Sequence, residues 1–148
     1  MILKSERGLT LVELCIGIMI VTIFGAITAP QLTGLLRSFR INGAAKVVWG
    51  DLHRARMMAI KENGMIRVDF TSSAYEIVRV RVGTPDEVVF QRNLTNDFPG
   101  ITVSITGDKV SFGSTGTAGS GSKTVQVQSA TASKTFTIIT TGRIGMIS

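Results

Sequence analysis

The chain has 148 residues, a formal charge of +6 and 44% hydrophobic residues, room for one domain of ordinary size with enough chain to bury a core. Its basic residues are scattered, with no run of five or six, so a cationic tail of the kind that grips nucleic acid is absent. The single cysteine, Cys15, excludes an intramolecular disulfide and a CxxC metal or redox site.

The chain opens MILKSERG and passes at once into an apolar run. From Leu9 to Ala29 the only charged residue is Glu13. A run of this length matches the ~20 residues a helix needs to cross ~30 Å of hydrocarbon. Lys4 and Arg7 precede it, so the positive-inside bias keeps the N-terminus cytoplasmic and sends the rest outward. Three readings compete. A cleaved secretory signal fits the short basic start, but the run is long for one. Its junction is also poor: Ile27 stands two places before Ala29, and Pro30 follows at once. A plain signal anchor leaves Glu13 unexplained, because a carboxylate at the centre of a membrane helix costs roughly 3 kcal/mol or more. The third reading, a specific processing site, needs the whole stretch from Gly8 to Glu13.

Pro30 lacks an N–H and is expected to break or kink the helix where the apolar run ends. Helical periodicity then resumes. Ile41, Ala45, Val48, Leu52, Ala55 and Ala59 form one apolar stripe, while Arg37, Arg40, Asp51, Arg54 and Lys61 fall on a solvated face. Gly64, after Asn63, is the expected C-cap. The whole helix, about 50 residues, would be roughly 80 Å long at 1.5 Å per residue.

After Gly64 the period changes to two. Met65 to Phe70 alternates, with Ile66, Val68 and Phe70 on one face. In YEIVRVRV, Val78, Val80 and Val82 point one way and Ile77, Arg79 and Arg81 the other. GTPDE reads as a turn, and EVVFQRNL, ITVSI, KVSFG, KTVQVQS and KTFTIITTGRI read as further strands. Gly107-Asp108 is expected to be a tight hairpin turn, and Ser114 to Ser122 a mobile loop of small polar residues. The fold class that follows is α+β: a long N-terminal helix, its first half membrane-spanning, packed on a small antiparallel β-sandwich-like domain. The expected layout is 1–8, 9–29, 30–63 and 64–148.

No catalytic constellation is legible. His53 is the only histidine and sits beside Arg54 on the charged helix. Cys15 is a small hydrophobe in an apolar helix. Asp69, Glu76, Asp86, Glu87, Asp97 and Asp108 fall at strand edges and turns and form no calcium loop. Gly113, Gly116, Gly119 and Gly121 match neither a P-loop nor a dinucleotide fingerprint. Neither an enzyme nor a metal or other cofactor is expected.

The stretch Gly8-Leu9-Thr10-Leu11-Val12-Glu13 resembles the processing site of type IV pilins and of the pseudopilins of type II secretion systems. The resemblance implies that a prepilin peptidase cuts between Gly8 and Leu9 on the cytoplasmic side, removing a leader over 1–8. It also implies methylation of the new N-terminal residue. Leu9 departs mildly from the Phe more usual there. Glu13 would then neutralise the N-terminal amine of a neighbouring subunit, a charge costly alone and satisfied on assembly. Thr10 and Pro30 fall with it among the expected assembly residues. DLHRARMMAIKENGMIRVDF and the ending from KVSFG to TTGRI resemble the GspH/FimT group of minor pseudopilins and minor pilins. That implies a structural subunit at or near a filament tip, partnered by the peptidase, by other pilins or pseudopilins and by the inner membrane. It would be anchored by a single pass with its C-terminal domain periplasmic, and extracytoplasmic once assembled. The alternative is a FimT-like DNA-binding minor pilin acting in DNA uptake, for which Arg79, Arg81 and Arg143 are the candidate phosphate contacts.

Overall fold

The structure, a computed structural model, describes residues 10–106 and 109–147, with only the backbone described over 28–32. The expected Gly107-Asp108 turn therefore lies outside the described residues, as do Gly8 and Leu9. Helix α1 spans Leu11–Lys61. The chain divides into two compact units, Met1–Leu36 and Arg37–Ser148.

In the first unit α1 starts at a threonine cap. The Glu13 N–H donates to Thr10 Oγ1 at 3.2 Å, and the Leu14 N–H donates to the Thr10 carbonyl at 3.1 Å. Thr-x-x-Glu is the spacing of a capping box, which supplies acceptors to the orphan N–H groups of a first turn. The helix runs through Pro30, so of the two outcomes expected there a break is not found. Among the described residues, no helix is long and apolar enough to cross a membrane. The run Leu9–Ala29 is not described whole at either end.

The second unit carries the core. Among the described residues eight strands follow α1: β1 (Met65–Phe70), β2 (Ala74–Val80), β3 (Glu87–Asn93), β4 (Thr102–Thr106), β5 (Val110–Phe112), β6 (Lys123–Gln128), β7 (Ser133–Ile138) and β8 (Ile144–Ile147), with a short helix α2 (Leu94–Asp97) after β3. They form two four-stranded sheets, ordered β3-β2-β1-β5 and β4-β6-β7-β8. All named pairings are antiparallel. The predicted helix stripe is buried throughout, joined by Ala44. It packs in one cluster with Ile66, Val68, Tyr75 and Ile77 of the first sheet and Val125, Val127, Phe136 and Ile138 of the second. Small residues make up much of the helix side of this cluster: Ala44, Ala45, Ala55 and Ala59.

Several expectations are corrected. The helix C-cap is Asn63, at φ 49°; Gly64 instead donates its N–H to Ala59 at 3.1 Å while Asn63 donates to Ile60 at 3.3 Å. That paired pattern is a Schellman motif, in which the left-handed residue precedes the last donor. In β2 the core face is that of Tyr75 and Ile77, so Arg79 lies on the helix side, opposite Ile66. Val82 falls beyond the strand and is fully exposed. The register with β3 slips between Ile77 and Val78, which pair with Phe90 and Val88. Val89 is the extra residue of a β-bulge.

Leu94, expected to end a strand, opens α2 instead. The Asn93 side chain caps it by accepting from the N–H groups of Thr95 and Asn96 at 3.0 and 3.2 Å. KTFTIITTGRI is two strands, β7 and β8, parted by a turn in which the Gly142 N–H donates to Ile139 at 2.8 Å. The segment read as a mobile loop is tied into the domain over its first half. Gly113 donates to Thr117 and Ala118 to Thr140, at 2.9 and 3.0 Å, and Gly116 and Ala118 are buried.

One surface network holds β3 and α2 to the helix. The Tyr75 hydroxyl donates to the Asp51 carboxylate, which also accepts from Arg92 Nε at 3.0 Å, and Arg92 reaches Asp97 at 3.0 Å. Arg54 and Arg92 lie over the Phe90 ring, 4.9 and 5.3 Å from its centre. Asp51 therefore does not sit on a merely solvated face. Burial, reinforced by the bond to Asp51, pushes the Tyr75 hydroxyl above its ordinary value of 10.0. The sign follows: stability is complete below pH ~10 and falls as pH rises beyond it, because ionisation is easier in the unfolded chain. Tyr75→Phe is expected to cost about 1–3 kcal/mol at neutral pH and to flatten the alkaline limb of a stability–pH curve measured by urea unfolding. A variant with wild-type stability would show that the hydroxyl contributes nothing.

Candidate functional site

The first candidate surface is the helix over 11–27. Leu11, Val12, Leu14, Ile16, Ile18, Met19, Val21, Ile23, Phe24 and Ile27 are all about half exposed or more. They point to every side of the helix. A helix apolar all round is stable only when surrounded by apolar matter, so this surface calls for lipid or other helices. Glu13 stands in its first turn as the one carboxylate. There it favours the positive end of the helix dipole. The cap from Thr10 was legible in the sequence as Thr-x-x-Glu before an apolar run, a signal overlooked beside the processing motif. Cys15 is exposed on the same helix as a free thiol.

The second candidate, the basic set Arg79, Arg81 and Arg143, is not brought together as a free cationic face. Arg79 is held by carboxylates on two sides. Its Nε and second terminal nitrogen donate to the two oxygens of Glu62 at 2.6 and 2.7 Å, and its other nitrogen reaches Glu87 at 2.8 Å. Arg81 meets the same Glu87. Hydrogen bonding from Arg79 holds the Glu62 carboxyl below its ordinary value. Two cations and two anions leave this patch locally neutral, and neutral surface does not draw a polyanion. Arg143 lies apart, exposed in the turn before β8, with its carbonyl accepting from Ile139 at 3.1 Å.

Among the described residues His53 has no catalytic neighbour. Its ring meets that of Trp49 at a tilt of 39°, 4.2 Å between centres, and Nδ1 lies 3.2 Å from the Trp49 carbonyl. Among the described residues no cluster of His, Cys, Asp and Glu is placed to hold a metal ion.

The closing motif of the sequence is explained by a junction of three elements. Arg56 of α1 donates through Nε to the Gly116 carbonyl at 2.9 Å. Gly142 stands against that same carbonyl with φ 77°. The helix, the Gly-rich loop and the β7–β8 turn therefore meet where no side chain fits at Gly142, and where one at Gly116, at φ 74°, would be strained and press on Ile60.

A helix whose buried stripe is laid on two antiparallel sheets is the architecture of a pilin-like protein. The profile of the family described as "Type II transport protein GspH" matches residues 44–142, and the chain belongs to that family. Among solved structures the fold is similar to the type IV minor pilin FimU of Pseudomonas aeruginosa. The two are 16% identical with a TM-score of 0.62, over 73% of this chain and 88% of that one. It is also similar to the minor pseudopilin EpsH from the type 2 secretion system of Vibrio cholerae, at 11% identity and a TM-score of 0.60, over 74% and 97% of the two chains. No curated protein sequence matches. The family and the fold are those of structural pilin-like proteins.

Proposed function

We propose that this protein is a minor pseudopilin or minor pilin, a structural subunit at or near the tip of a type II secretion pseudopilus or type IV pilus. In this reading prepilin peptidase cuts between Gly8 and Leu9, and the Leu9 amine is then methylated. The segment 9–29 holds the subunit in the inner membrane with its C-terminal domain periplasmic. On assembly the segment exchanges lipid for neighbouring helices in an extracytoplasmic filament. The observation that carries the reading is the helix over 11–27, apolar on every side and exposed, with one carboxylate in its first turn. Apolar side chains make association favourable without direction. A single charge in that setting imposes register, because it is tolerable only beside an opposite charge. The amine of a neighbour's processed N-terminus supplies one.

The test is Glu13→Ala. Removing the charge leaves insertion unchanged or easier, whereas a neighbour's amine is left without its counter-charge. Co-purification with other pilin-like subunits is expected to fall while the membrane-bound amount holds. Incorporation equal to wild type would defeat the pairing argument. The DNA-uptake alternative is not favoured, because Arg79 and Arg81 are engaged by Glu62 and Glu87.

A further inference from the structure

The positive charge of the folded unit is unevenly compensated. Arg67, Arg79, Arg81 and Arg92 each meet a carboxylate, and these contacts occupy Asp51, Glu62, Asp69, Asp86, Glu87 and Asp97. Between Glu13 and Asp51 the chain contains no acid at all. Arg37 and Arg40 lie in that gap, one turn apart on α1, and no carboxylate pairs with either among the described residues. Both line a cleft of about 190 Å³. Its other walls are the turn at Gly100 and Ile101 ahead of β4 and the turn at Ser129 and Thr131 between β6 and β7.

These walls are built, not draped. Ile101 is buried in the core cluster. Gly100, at φ 82°, has open space on its side-chain face. The β6–β7 turn is closed by the Ser129 N–H and hydroxyl, both donating to the Ala132 carbonyl, at 2.8 and 3.1 Å. Two guanidinium groups thus stand over a small recess with fixed sides and, among the described residues, no counter-ion of their own.

We propose that this cleft receives a carboxylate side chain from an acidic segment of the neighbouring subunit in the filament; the inference rests on the assembly reading above. A guanidinium fork matches a carboxylate with two parallel hydrogen bonds, and two forks one helical turn apart take both oxygens of one acid. The volume admits a single side chain. A polynucleotide strand needs a continuous cationic track, and no other cation lines this recess. The pair also supplies what the apolar helix cannot. Hydrophobic contact is non-directional, while a charged pair in a shaped recess fixes which subunit follows and in what rotation.

The experiment uses the full chain in a cell that produces it with its companion pilin-like subunits. A photo-crosslinking residue replaces Thr131 at the cleft rim, or, separately, Val21 on the apolar helix. The Thr131 adduct is expected to map to a peptide of another pilin-like subunit containing Asp or Glu. Arg37→Gln with Arg40→Gln is expected to lower its yield about tenfold or more, as for the loss of charge-assisted hydrogen bonds, and to leave the Val21 adduct intact. Exchanging charges, Arg40→Glu with the mapped acid changed to Arg, is expected to restore it. A Val21 adduct with no Thr131 adduct overturns the cleft proposal alone. So does a Thr131 adduct to lipid, to a peptide without an acid, or one indifferent to the double substitution. Loss of both adducts in the otherwise wild-type chain overturns the assembly reading and this proposal with it.

Discussion

Gly142→Ala is expected to unfold much of the population of this protein under conditions where the wild type is folded. The added Cβ would fall on the carbonyl oxygen of Gly116, and the Arg56 guanidinium would stand 3.0 Å from it. Neither neighbour yields cheaply, since the carbonyl is backbone and Arg56 is bonded to it. The residue is also at φ 77°, where a Cβ costs roughly 1–2 kcal/mol by itself. Overpacking adds about 1–3 kcal/mol, so the total of about 2–5 kcal/mol is a large part of a usual stability of about 5–15 kcal/mol. Gly121→Ala is the control. It has φ 84° and nothing within 4 Å of an added Cβ, so it carries the backbone cost without the collision. A urea midpoint for Gly142→Ala no lower than that for Gly121→Ala would show that the junction is not closed as described.

Gly8→Val is expected to leave the 1–8 segment attached. A peptidase that grips an extended backbone needs close approach at the scissile bond, and a β-branched side chain obstructs it. A tenfold slower cleavage corresponds to about 1.4 kcal/mol in the barrier, and Val is expected to exceed that and abolish processing within the life of a cell. Mass spectrometry of the protein recovered from the cells distinguishes the two lengths. Normal cleavage of this variant ahead of Leu9 by the cognate peptidase would remove the basis for the pilin-like reading of the N-terminus. The two substitutions also separate the halves of the molecule: Gly142→Ala acts on folding of the second unit, Gly8→Val on chemistry at the start of the chain.

What the sequence determined by itself was everything set by local period and composition. The apolar run carrying Glu13, the stripe from Ile41 to Ala59 and the alternation of Ile66 and Val68 are properties of neighbouring residues, because side chains recur every 3.6 residues on a helix and every 2 on a strand. The helix-on-sheets class rested on those patterns and the family resemblance on particular stretches, from Gly8 to Glu13, from Asp51 to Phe70 and in the closing strands, and the fold agrees with both. The tertiary structure alone decided what depends on residues far apart in the chain. Arg79 and Arg81 read identically in sequence as outward cations and candidate phosphate contacts, yet Glu62 and Glu87 claim them only because the end of α1, β2 and β3 converge. The stretch 114–122 is small and polar, so nothing in its composition says it is pinned; the Arg56 and Thr140 bonds that pin it come from α1 and from beyond β7. Gly142 read only as part of the closing stretch TTGRI, and its necessity follows from the Gly116 carbonyl, which stands where a Cβ would be. Arg37 and Arg40 read as a solvated face for the same reason: a cleft exists only once two turns, at Gly100 and Ser129, are folded against the same helix. Period is written in adjacent residues, whereas charge pairing and close approach are written in the distances that folding creates.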